Sequence, residues 1–147
     1  MLQSEIVVRL AAQLDLPSID SLLVEWLSLP RQRDLVFKDS VRNGELWVAE
    51  LNGAFAGFLH QVVHNDVIDG GPNSFITALY VSPKYRRSGV GSALLRKAIQ
   101  DTLKKGVVGI EASTTNPEAR KLYEKYGFKQ FKGEISLEMD MDRAREV

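Results

Sequence analysis

Apolar residues change their spacing along the first part of the chain, and each spacing predicts a different element. Residues 5–10 form a short apolar run that suits a strand. Apolar side chains then recur at helical spacing over residues 16–27, and Asp15 or Ser18 is the expected N-cap of this helix. Pro30 cannot continue a helix, so we expect this one to end before it.

A second, weaker helix is predicted over residues 32–41, after which the pattern becomes that of strands. Residues 45–51 and 54–63 are runs typical of strands, and Asn52 and Gly53 lie between them. Asn-Gly is the preferred pair of a type I′ turn because both central residues of that turn need a positive φ angle. We therefore predict a β-hairpin here.

The second half of the chain alternates strands with helices, and glycine or proline marks most of the boundaries. The predicted elements are a loop at 65–73, a strand at 74–81, a helix between Gly91 and Gly106, a strand at 107–113, a helix from Asn116 to Gly127, strands at 128–132 and 135–141, and a frayed end at 142–147. The order β-α-α-β-β-β-α-β-α-β-β predicts one mixed α/β (α+β) domain over residues 1–147, with its ordered core at 5–141. An antiparallel meander followed by crossover helices implies a mixed, mostly antiparallel sheet.

Charge and composition narrow the function classes. The 19 basic residues balance 19 acidic ones, which disfavours nucleic acid as a partner because phosphate binding usually leaves a basic excess. No apolar run approaches the ~20 residues that cross a bilayer, and the first residues lack the pattern of a signal peptide. The chain has no cysteine, and its histidines, His60 and His64, stand too far apart along a strand to share an ion. We therefore expect a cytoplasmic protein with no membrane contact and no metal.

A strand end, a glycine turn and a helix start meet at residues 82–92. The free N–H groups of a helix start attract an anion, and Gly89 and Gly91 let the backbone approach phosphate oxygens closely. Arg86 and Arg87 add positive charge and hydrogen-bond donors at the same place. The sequence therefore predicts binding of a phosphate or pyrophosphate.

Two well-known nucleotide-binding motifs also place glycines at a helix start, and this turn fits neither. A Walker A loop needs Gly-Lys followed by Ser or Thr, which the chain lacks. A dinucleotide fingerprint needs a small residue where Leu94 stands, although Glu111 lies about 20 residues on, where an acid would bind ribose. The turn also follows a hairpin rather than the first strand. A helix start that uses glycine only to turn the chain stays open as the alternative.

A second motif lies downstream, where residues 116–128 read Asn-Pro-Glu-Ala-Arg-Lys-Leu-Tyr-Glu-Lys-Tyr-Gly-Phe. Together with the glycine turn, this stretch resembles the GNAT superfamily of N-acetyltransferases. That family combines a Gln/Arg-x-x-Gly-x-Gly/Ala turn with Asn-x-x-Ala-x-x-Leu-Tyr-x-x-x-Gly-Phe, and Arg86, Gly89 and Gly91 occupy the turn positions. The strong match covers residues 75–128.

The resemblance implies an enzyme that moves an acetyl group from acetyl-CoA to a primary amine of a small molecule or protein. It implies direct attack in a ternary complex, which the lack of a cysteine carrier also favours. In such an enzyme the N–H of Val81 polarises the thioester carbonyl and Tyr123 protonates the departing thiolate, although Tyr123 also fits an apolar core stripe. The residues that the resemblance places against acetyl-CoA are Leu79, Val81, Arg86, Arg87, Ser88, Gly89, Val90, Gly91, Ser92, Asn116, Ala119 and Tyr123.

The chain departs from the resemblance at the expected general base. Family members often carry an acid just before the Leu-Tyr-Val segment, where this chain has Thr77 and Ala78. A lysine-like amine has a pKa of ~10.4, so its deprotonation at pH 7 costs roughly 4.6 kcal/mol. Another group must therefore accept the proton. Glu111, on the next strand, is the first candidate, with a surface carboxylate as its alternative. His60, Glu50 or a water chain are the other candidates.

The missing acid also supports a different function, that of a non-catalytic acyl-CoA-binding regulatory module. The intact Tyr123 argues against this alternative. The acceptor amine stays open between small molecules and proteins because the neutral net charge favours neither. The resemblance further implies that a homodimer is to be expected.

Overall fold

The computed structural model describes residues 4–28, 34–130 and 140–146. In chain order the elements are β1 (Ile6–Leu10), α1 (Leu16–Leu27), α2 (Asp34–Arg42), β2 (Leu46–Leu51), β3 (Ala54–Asp66), β4 (Gly71–Val81), α3 (Val90–Lys104), β5 (Gly109–Ala112), α4 (Pro117–Lys125) and α5 (Met141–Ala144). Short 3₁₀ turns precede α1 and α3. In the described residues no helix is both long enough and apolar enough to cross a membrane.

Within the described residues the strands form one sheet in the order β1-β2-β3-β4-β5. The first four strands pair antiparallel, whereas β5 pairs parallel to β4 because α3 crosses over between them. This arrangement confirms the predicted mixed, mostly antiparallel sheet flanked by helices. Of the predicted strands at 128–132 and 135–141, residues 131–132 and 135–139 lie outside those described. Residues 128–130 do not belong to a strand, and Met141 begins α5, so the prediction is wrong for these residues. Residues 142–144, predicted to fray, belong to the short helix α5.

The hairpin between β2 and β3 forms as predicted. Asn52 and Gly53 both have positive φ angles, 50° and 83°, as a type I′ turn requires. This turn pairs Leu51 with Ala54, and a bulge between Ala49 and Glu50 then shifts the register so that Leu46 lies opposite His60. The hairpin therefore decides which side chains of β3 reach the interior.

The predicted loop at 65–73 is wrong in most of its length. β3 continues to Asp66 and β4 begins at Gly71, so the two strands extend beyond the main body of the sheet as a ribbon. The Asp66 carboxylate accepts hydrogen bonds from the N–H groups of Ile68 at 2.8 Å and Asp69 at 3.2 Å, which closes the turn. The polar sequence misled the prediction because a solvated ribbon needs cross-strand hydrogen bonds but no apolar face.

Asp15 is the N-cap residue of α1, as predicted, but its side chain makes no hydrogen bond to that helix. Its carboxylate accepts a hydrogen bond from the N–H of Ala12 at 2.7 Å, at the start of the 3₁₀ turn that leads into α1. The same carboxylate receives two hydrogen bonds from the Arg9 guanidinium, at 2.7 and 2.9 Å. These bonds from Arg9 hold the pKa of Asp15 below its usual value. Asp15 thereby anchors β1 to the start of α1.

The sheet separates two apolar clusters because alternate strand residues point to opposite sides. We call the side covered by α3 the α3 face, and the side covered by α1 and α2 the α1–α2 face. The α3 face contains Trp47, Ala49, Leu59, Ile76, Leu94, Leu95 and Ala98. The α1–α2 face contains Ile19, Leu22, Phe37, Leu46, Val48, Phe58 and Tyr80. Both faces bury enough apolar surface to hold the helices against the sheet.

Candidate active site

A bulge in β4 marks the point where the site begins. His60 of β3 lies opposite Ala78, and the next residue, Gln61, lies opposite Ile76. Thr77 is therefore an extra residue without a partner in the ladder, which is the arrangement of a β-bulge. β5 pairs with β4 only over residues 73–76 among the residues that the structure describes. The edge of β4 from Thr77 onward is thus left open.

A cavity of about 710 Å³ occupies the space along this open edge. It extends from Thr77 to the start of α3, and α4 forms its opposite wall. The sequence-predicted residues in its wall are Leu79, Val81, Arg86, Arg87, Gly89, Val90, Gly91, Ser92, Asn116, Ala119 and Tyr123. The fold thereby brings together residues from two motifs that lie some distance apart in the sequence.

The glycine turn presents backbone N–H groups toward this cavity. Gly89 is the N-cap of α3 and has a φ of 92°, and no side-chain hydrogen bond caps the helix there. The first N–H groups of α3 are therefore available to an anion. A Cβ on Gly91 would lie 3.2 Å from Leu122, another wall residue. A side chain at this position would fill the cradle, so glycine suits a site in which a ligand approaches the backbone.

Two side chains brace the turn. The Nε of Arg86 donates a hydrogen bond to the carbonyl oxygen of Val81 at 2.9 Å, and its guanidinium lies 5.5 Å from the centre of the Tyr80 ring. The Ser88 hydroxyl donates to the carbonyl oxygen of Tyr85. Within the described residues the cavity wall does not include Ser88, so its side chain supports the turn from behind.

Tyr123 lies on α4 and is 6% exposed. Its ring packs against Phe128 with the ring centres 5.1 Å apart. Burial raises the pKa of Tyr123 to about 12, because the charged phenolate is disfavoured away from water. The phenol therefore keeps its proton throughout the neutral pH range. Tyr123 packs in the apolar core and also lines the cavity, and its role as the acid stays a prediction.

The start of α4 confirms the predicted cap. The Asn116 side-chain oxygen accepts a hydrogen bond from the N–H of Glu118 at 2.9 Å, and Pro117 occupies the first helical position. The Thr114 hydroxyl accepts a hydrogen bond from the N–H of Asn116 at 3.1 Å. Asn116 is thus held at the cavity wall with its amide NH₂ group left over for other contacts.

The candidate bases lie in different surroundings. Glu111 is exposed and its carboxylate accepts a hydrogen bond from Asn73 at 3.1 Å. Glu50 accepts a hydrogen bond from Arg9 at 3.1 Å. In the described part of the chain neither carboxylate lines the cavity. His60 is different, because its Nδ1 contacts the hydroxyl of Thr77, which does line the cavity.

The wall also contains Trp26 and Lys121, which are not among the predicted site residues of the two motifs; the sequence allowed Trp26 to line an acceptor pocket but favoured a place in the core. Trp26 of α1 lines the cavity and stacks on Tyr80 with ring centres 5.0 Å apart. Lys121 of α4 also lines it. Its charge near a predicted phosphate site is a signal, but a solvated helix face explains such a charge equally well. Trp26 lies far from β4 in the sequence, so no local spacing rule places it there. Within the described residues no group of His, Asp and Glu side chains is arranged to hold a metal ion.

A family model described as "Acetyltransferase (GNAT) family" matches residues 14–128 of the chain. The chain belongs to this family. The match includes both motifs and the whole wall of the cavity, so GNAT membership and the site described above concern the same residues.

Individual relatives support this assignment. The chain is 30% identical over 107 residues to an uncharacterized N-acetyltransferase, YafP, of Escherichia coli (strain K12), a match that covers 73% of this chain and 59% of that protein, less than two thirds of its length. The solved structure of a predicted acetyltransferase with acetyl-CoA from Clostridium acetobutylicum superimposes with a TM-score of 0.75 at 19% identity, covering 91% of this chain and 96% of the other. An aminoglycoside N-acetyltransferase in complex with CoA gives a TM-score of 0.78 at 20% identity, covering 94% and 97%. At this identity the two structures establish a shared fold.

Proposed function

We propose that the protein is an N-acetyltransferase that transfers the acetyl group of acetyl-CoA to a primary amine by direct attack in a ternary complex. The observation that carries this proposal is the continuous cavity along the open edge of β4. It joins the glycine turn, where a pyrophosphate can bind, to Tyr123, which can supply a proton. Family membership supports an acetyl transfer, and the residues in the wall support its mechanism.

The proposed binding mode follows the shape of the cavity. The pyrophosphate lies against the backbone N–H groups of the turn formed by Arg86, Arg87, Ser88, Gly89, Val90, Gly91 and Ser92. The pantetheine arm runs along Leu79 and Val81 like an added strand, since β5 leaves this edge of β4 unpaired in the described residues. Asn116 and Ala119 contact the arm from α4.

The proposed reaction forms a C–N bond and breaks a C–S bond. The amine nitrogen attacks the thioester carbonyl carbon, and the N–H of Val81 stabilises the negative charge that develops on oxygen. The C–S bond then breaks, and Tyr123 gives the departing thiolate a proton. An amine that is protonated at neutral pH must lose one proton before it attacks, and the nitrogen loses a second proton once the C–N bond has formed. Tyr123 regains its proton from solvent, so the net reaction yields an amide, the free thiol of CoA and one proton.

The pKa of Tyr123 sets a limit on how this proton is given. A thiol has a pKa of ~8.5, so a phenol with a pKa of about 12 gives up its proton to a solvated thiolate at a cost of about 5 kcal/mol. A thiolate that forms inside the same cavity is also desolvated, which raises the pKa of its thiol and narrows the gap. We infer that Tyr123 donates a hydrogen bond as the C–S bond stretches and transfers the proton late.

The general base is the part of the mechanism with the least support from the predicted residues. Glu111 is a candidate base because it lies on β5, next to β4. Its carboxylate, however, accepts a hydrogen bond from Asn73 and does not line the cavity in the described residues. A base is needed at the other end of the cavity, beside the thioester carbonyl. Cytoplasmic location, a homodimer and the class of acceptor amine stay predictions.

Release of the CoA thiol from acetyl-CoA tests the proposed function. The chain has no cysteine, so a thiol-reactive dye has no background from the protein. We expect release that depends on an amine when a polyamine, an aminoglycoside, an amino acid and a lysine-containing peptide are supplied in turn. Acetyl-CoA that binds by calorimetry without thiol release from any amine would instead favour the regulatory module, for which the lack of an acid at Thr77 and Ala78 is the supporting observation.

A further inference from the structure

Four polar side chains contact one another in a series that begins at the cavity and leads away from it. The Thr77 hydroxyl, in the cavity wall, contacts Nδ1 of His60. Nε2 of His60 lies 3.3 Å from Oε2 of Glu45 and 3.5 Å from the hydroxyl of Ser40. These residues come from three strands or their ends and from α2, so only the folded sheet brings them together. The contacts link both ring nitrogens of His60 to defined partners.

We propose that Thr77, His60 and Glu45 form a relay that accepts the proton of the acceptor amine. This assignment rests on the proposed function and names the base that the proposed function lacks. Thr77 stands where the resemblance expects an acid, and its hydroxyl gives the imidazole of His60 access to the cavity. Imidazole is the side chain best suited to take up and release a proton near neutral pH.

The bulge is the structural reason that this relay exists. A regular ladder would continue the pairing of His60 with Ala78 by pairing Gln61 with Thr77, and their side chains would point to the side opposite to His60. Because Thr77 is the extra residue, Gln61 pairs with Ile76 instead. The bulge frees the Thr77 side chain to contact the imidazole while it also faces the cavity.

The partners on the other side of the ring fix the direction of proton movement. The Glu45 carboxylate can only accept, so its contact with Nε2 favours the tautomer that carries its proton there and leaves Nδ1 to accept from the Thr77 hydroxyl, whose other contact is the His60 carbonyl oxygen at 3.4 Å. The side chains of His60 and Glu45 are each 23% exposed, so water screens the pair only in part. A second cavity of about 160 Å³, lined mostly by apolar residues, reaches His60 and Ala78 from the α1–α2 face. One side of the ring therefore borders this cavity, and both ring nitrogens contact polar partners.

The proton balance of the relay is simple. Thr77 lies four residues before Val81 on β4, so a water molecule between the amine and Thr77 carries the proton: the amine gives a proton to the water, the water gives one to Oγ1 of Thr77, and the proton of that hydroxyl passes to Nδ1 of His60. The positive charge moves from the nitrogen to the imidazolium, which the Glu45 carboxylate stabilises. The imidazolium returns its proton to solvent after the products leave, so neither Thr77 nor His60 is consumed.

Paired variants test the relay through turnover. Thr77→Val keeps the shape of the side chain and removes the hydroxyl, whereas Thr77→Ser keeps the hydroxyl. We expect Thr77→Val and His60→Gln each to lower kcat about 100-fold, the lower range for general base catalysis, while Thr77→Ser stays within a few-fold of wild type. The double variant should be no slower than either single variant because both act in one step. His64→Gln, on the exposed part of β3, is the matched control and should keep wild-type turnover.

A spectroscopic readout gives a test that does not depend on turnover. ¹⁵N-histidine labelling gives signals from two rings, and His60→Gln assigns them. We expect His60 to carry its proton on Nε2, with Nδ1 as a hydrogen-bond acceptor that loses this signature in Thr77→Val. A proton on Nδ1 in the wild-type protein contradicts the relay, because that nitrogen could not then accept one from Thr77.

The outcomes also separate this inference from the proposed function. The assay uses the amine with the fastest thiol release in the panel, and acetyl-CoA affinity is measured by calorimetry for every variant. Wild-type turnover in Thr77→Val or His60→Gln overturns the relay and leaves the acetyltransferase intact. A Thr77→Ser variant as slow as Thr77→Val, or a double variant in which the two losses multiply, overturns it as well. A wild-type protein that releases no thiol overturns both.

Discussion

The two faces of the sheet contribute to the site with different kinds of atoms. On the α3 face, backbone groups provide most of the proposed contacts, through the N–H groups of the glycine turn and the open edge of β4. On the α1–α2 face, side chains such as His60 and Glu45 meet across strands. Binding by backbone groups can be recognised as a sequence motif, because it restricts which residues can stand at fixed spacings along the chain. Side-chain contacts across strands give no sequence motif, because any residue with suitable donor or acceptor groups can occupy each position.

From this comparison we expect that acetyl-CoA binding on the α3 face is most sensitive to substitution of its glycines. Gly89→Asp places a side chain at a φ of 92° and a carboxylate where we propose that the pyrophosphate binds. We expect acetyl-CoA affinity to fall by at least about 100-fold, since like charges in contact cost several kcal/mol. Isothermal titration calorimetry measures this loss directly.

Gly106→Asp is the matched control for that variant. It lies at the other end of α3 with a φ of 72° and open space around it, so the backbone strain is similar but the phosphate cradle is distant. We expect it to bind acetyl-CoA like the wild-type protein. Equal losses in the two variants would show that strain in α3, rather than the cradle, controls affinity.

Removal of the Tyr123 hydroxyl tests the chemical step on the α3 face separately from acetyl-CoA binding. Tyr123→Phe keeps the ring packed against Phe128. We expect kcat to fall about 100-fold, the lower range for loss of a general acid, with acetyl-CoA affinity near the wild-type value. Because burial raises the pKa of Tyr123 to about 12, its phenol stays protonated up to pH 10 and should cause no loss of turnover below that pH. Unchanged turnover in Tyr123→Phe would remove its role as the acid.

A structural ion pair on the α1–α2 face should affect stability and leave binding unchanged. Asp15→Asn removes the charge that pairs with Arg9, and we expect the free energy of unfolding in urea to fall by about 1 to 2 kcal/mol at pH 7. The pKa of Asp15 is lowered in the fold, so its stabilisation is present above the unfolded value of ~3.9 and is lost as the pH falls through the folded value. The difference between variant and wild type should therefore shrink in acid.

The exposed pair of Arg120 and Glu124 provides the control, with side chains 60% and 53% exposed. Glu124→Gln should cost less than about 0.5 kcal/mol, because water screens an exposed pair. If Glu124→Gln lowered the free energy of unfolding as much as Asp15→Asn does, the burial of a charged pair would not determine how much it stabilises this fold.

Apart from the control variants, the smallest effect is expected at Asn116, whose side-chain oxygen and amide NH₂ group can be tested separately. Asn116→Ser keeps an oxygen that can cap α4 and removes the amide NH₂. We expect acetyl-CoA affinity to fall about 5-fold, the value of one hydrogen bond, with stability unchanged. Asn116→Ala should lose about 1 kcal/mol of stability in addition, which thermal unfolding measures. Equal stability of the two variants would argue against the cap.

Local rules predict the fold correctly wherever adjacent residues determine the backbone. The Asn52-Gly53 turn and the Asn116-Pro117 helix start both form as expected, because each depends on φ angles and on hydrogen bonds within a few residues. The same rules fail for residues 65–73, where ladder hydrogen bonds to a neighbouring strand hold a polar segment extended. They identify Asp15 as the N-cap residue of α1 but not the hydrogen bonds of its carboxylate, because its partner, Arg9, lies on another element.

The residues of the site likewise include some that local sequence rules identify and others that they do not. The glycine turn and the α4 motif can be identified from sequence, and the fold places both in the wall of one cavity. The position of Glu111 on the next strand favours it as the base, but the parallel register puts its carboxylate beside Asn73. No property of residues 60 and 77 taken separately indicates that they meet.

The sequence by itself determined the order of the elements, the turns that begin and end them, and the family to which the chain belongs, because these depend on short-range backbone constraints. Only the tertiary structure decided that the edge of β4 is open and that Thr77 contacts His60. The physical reason is strand register. A single extra residue in a ladder shifts every later pairing and turns side chains from one face to the other, and the energy that selects the register comes from packing across the whole sheet.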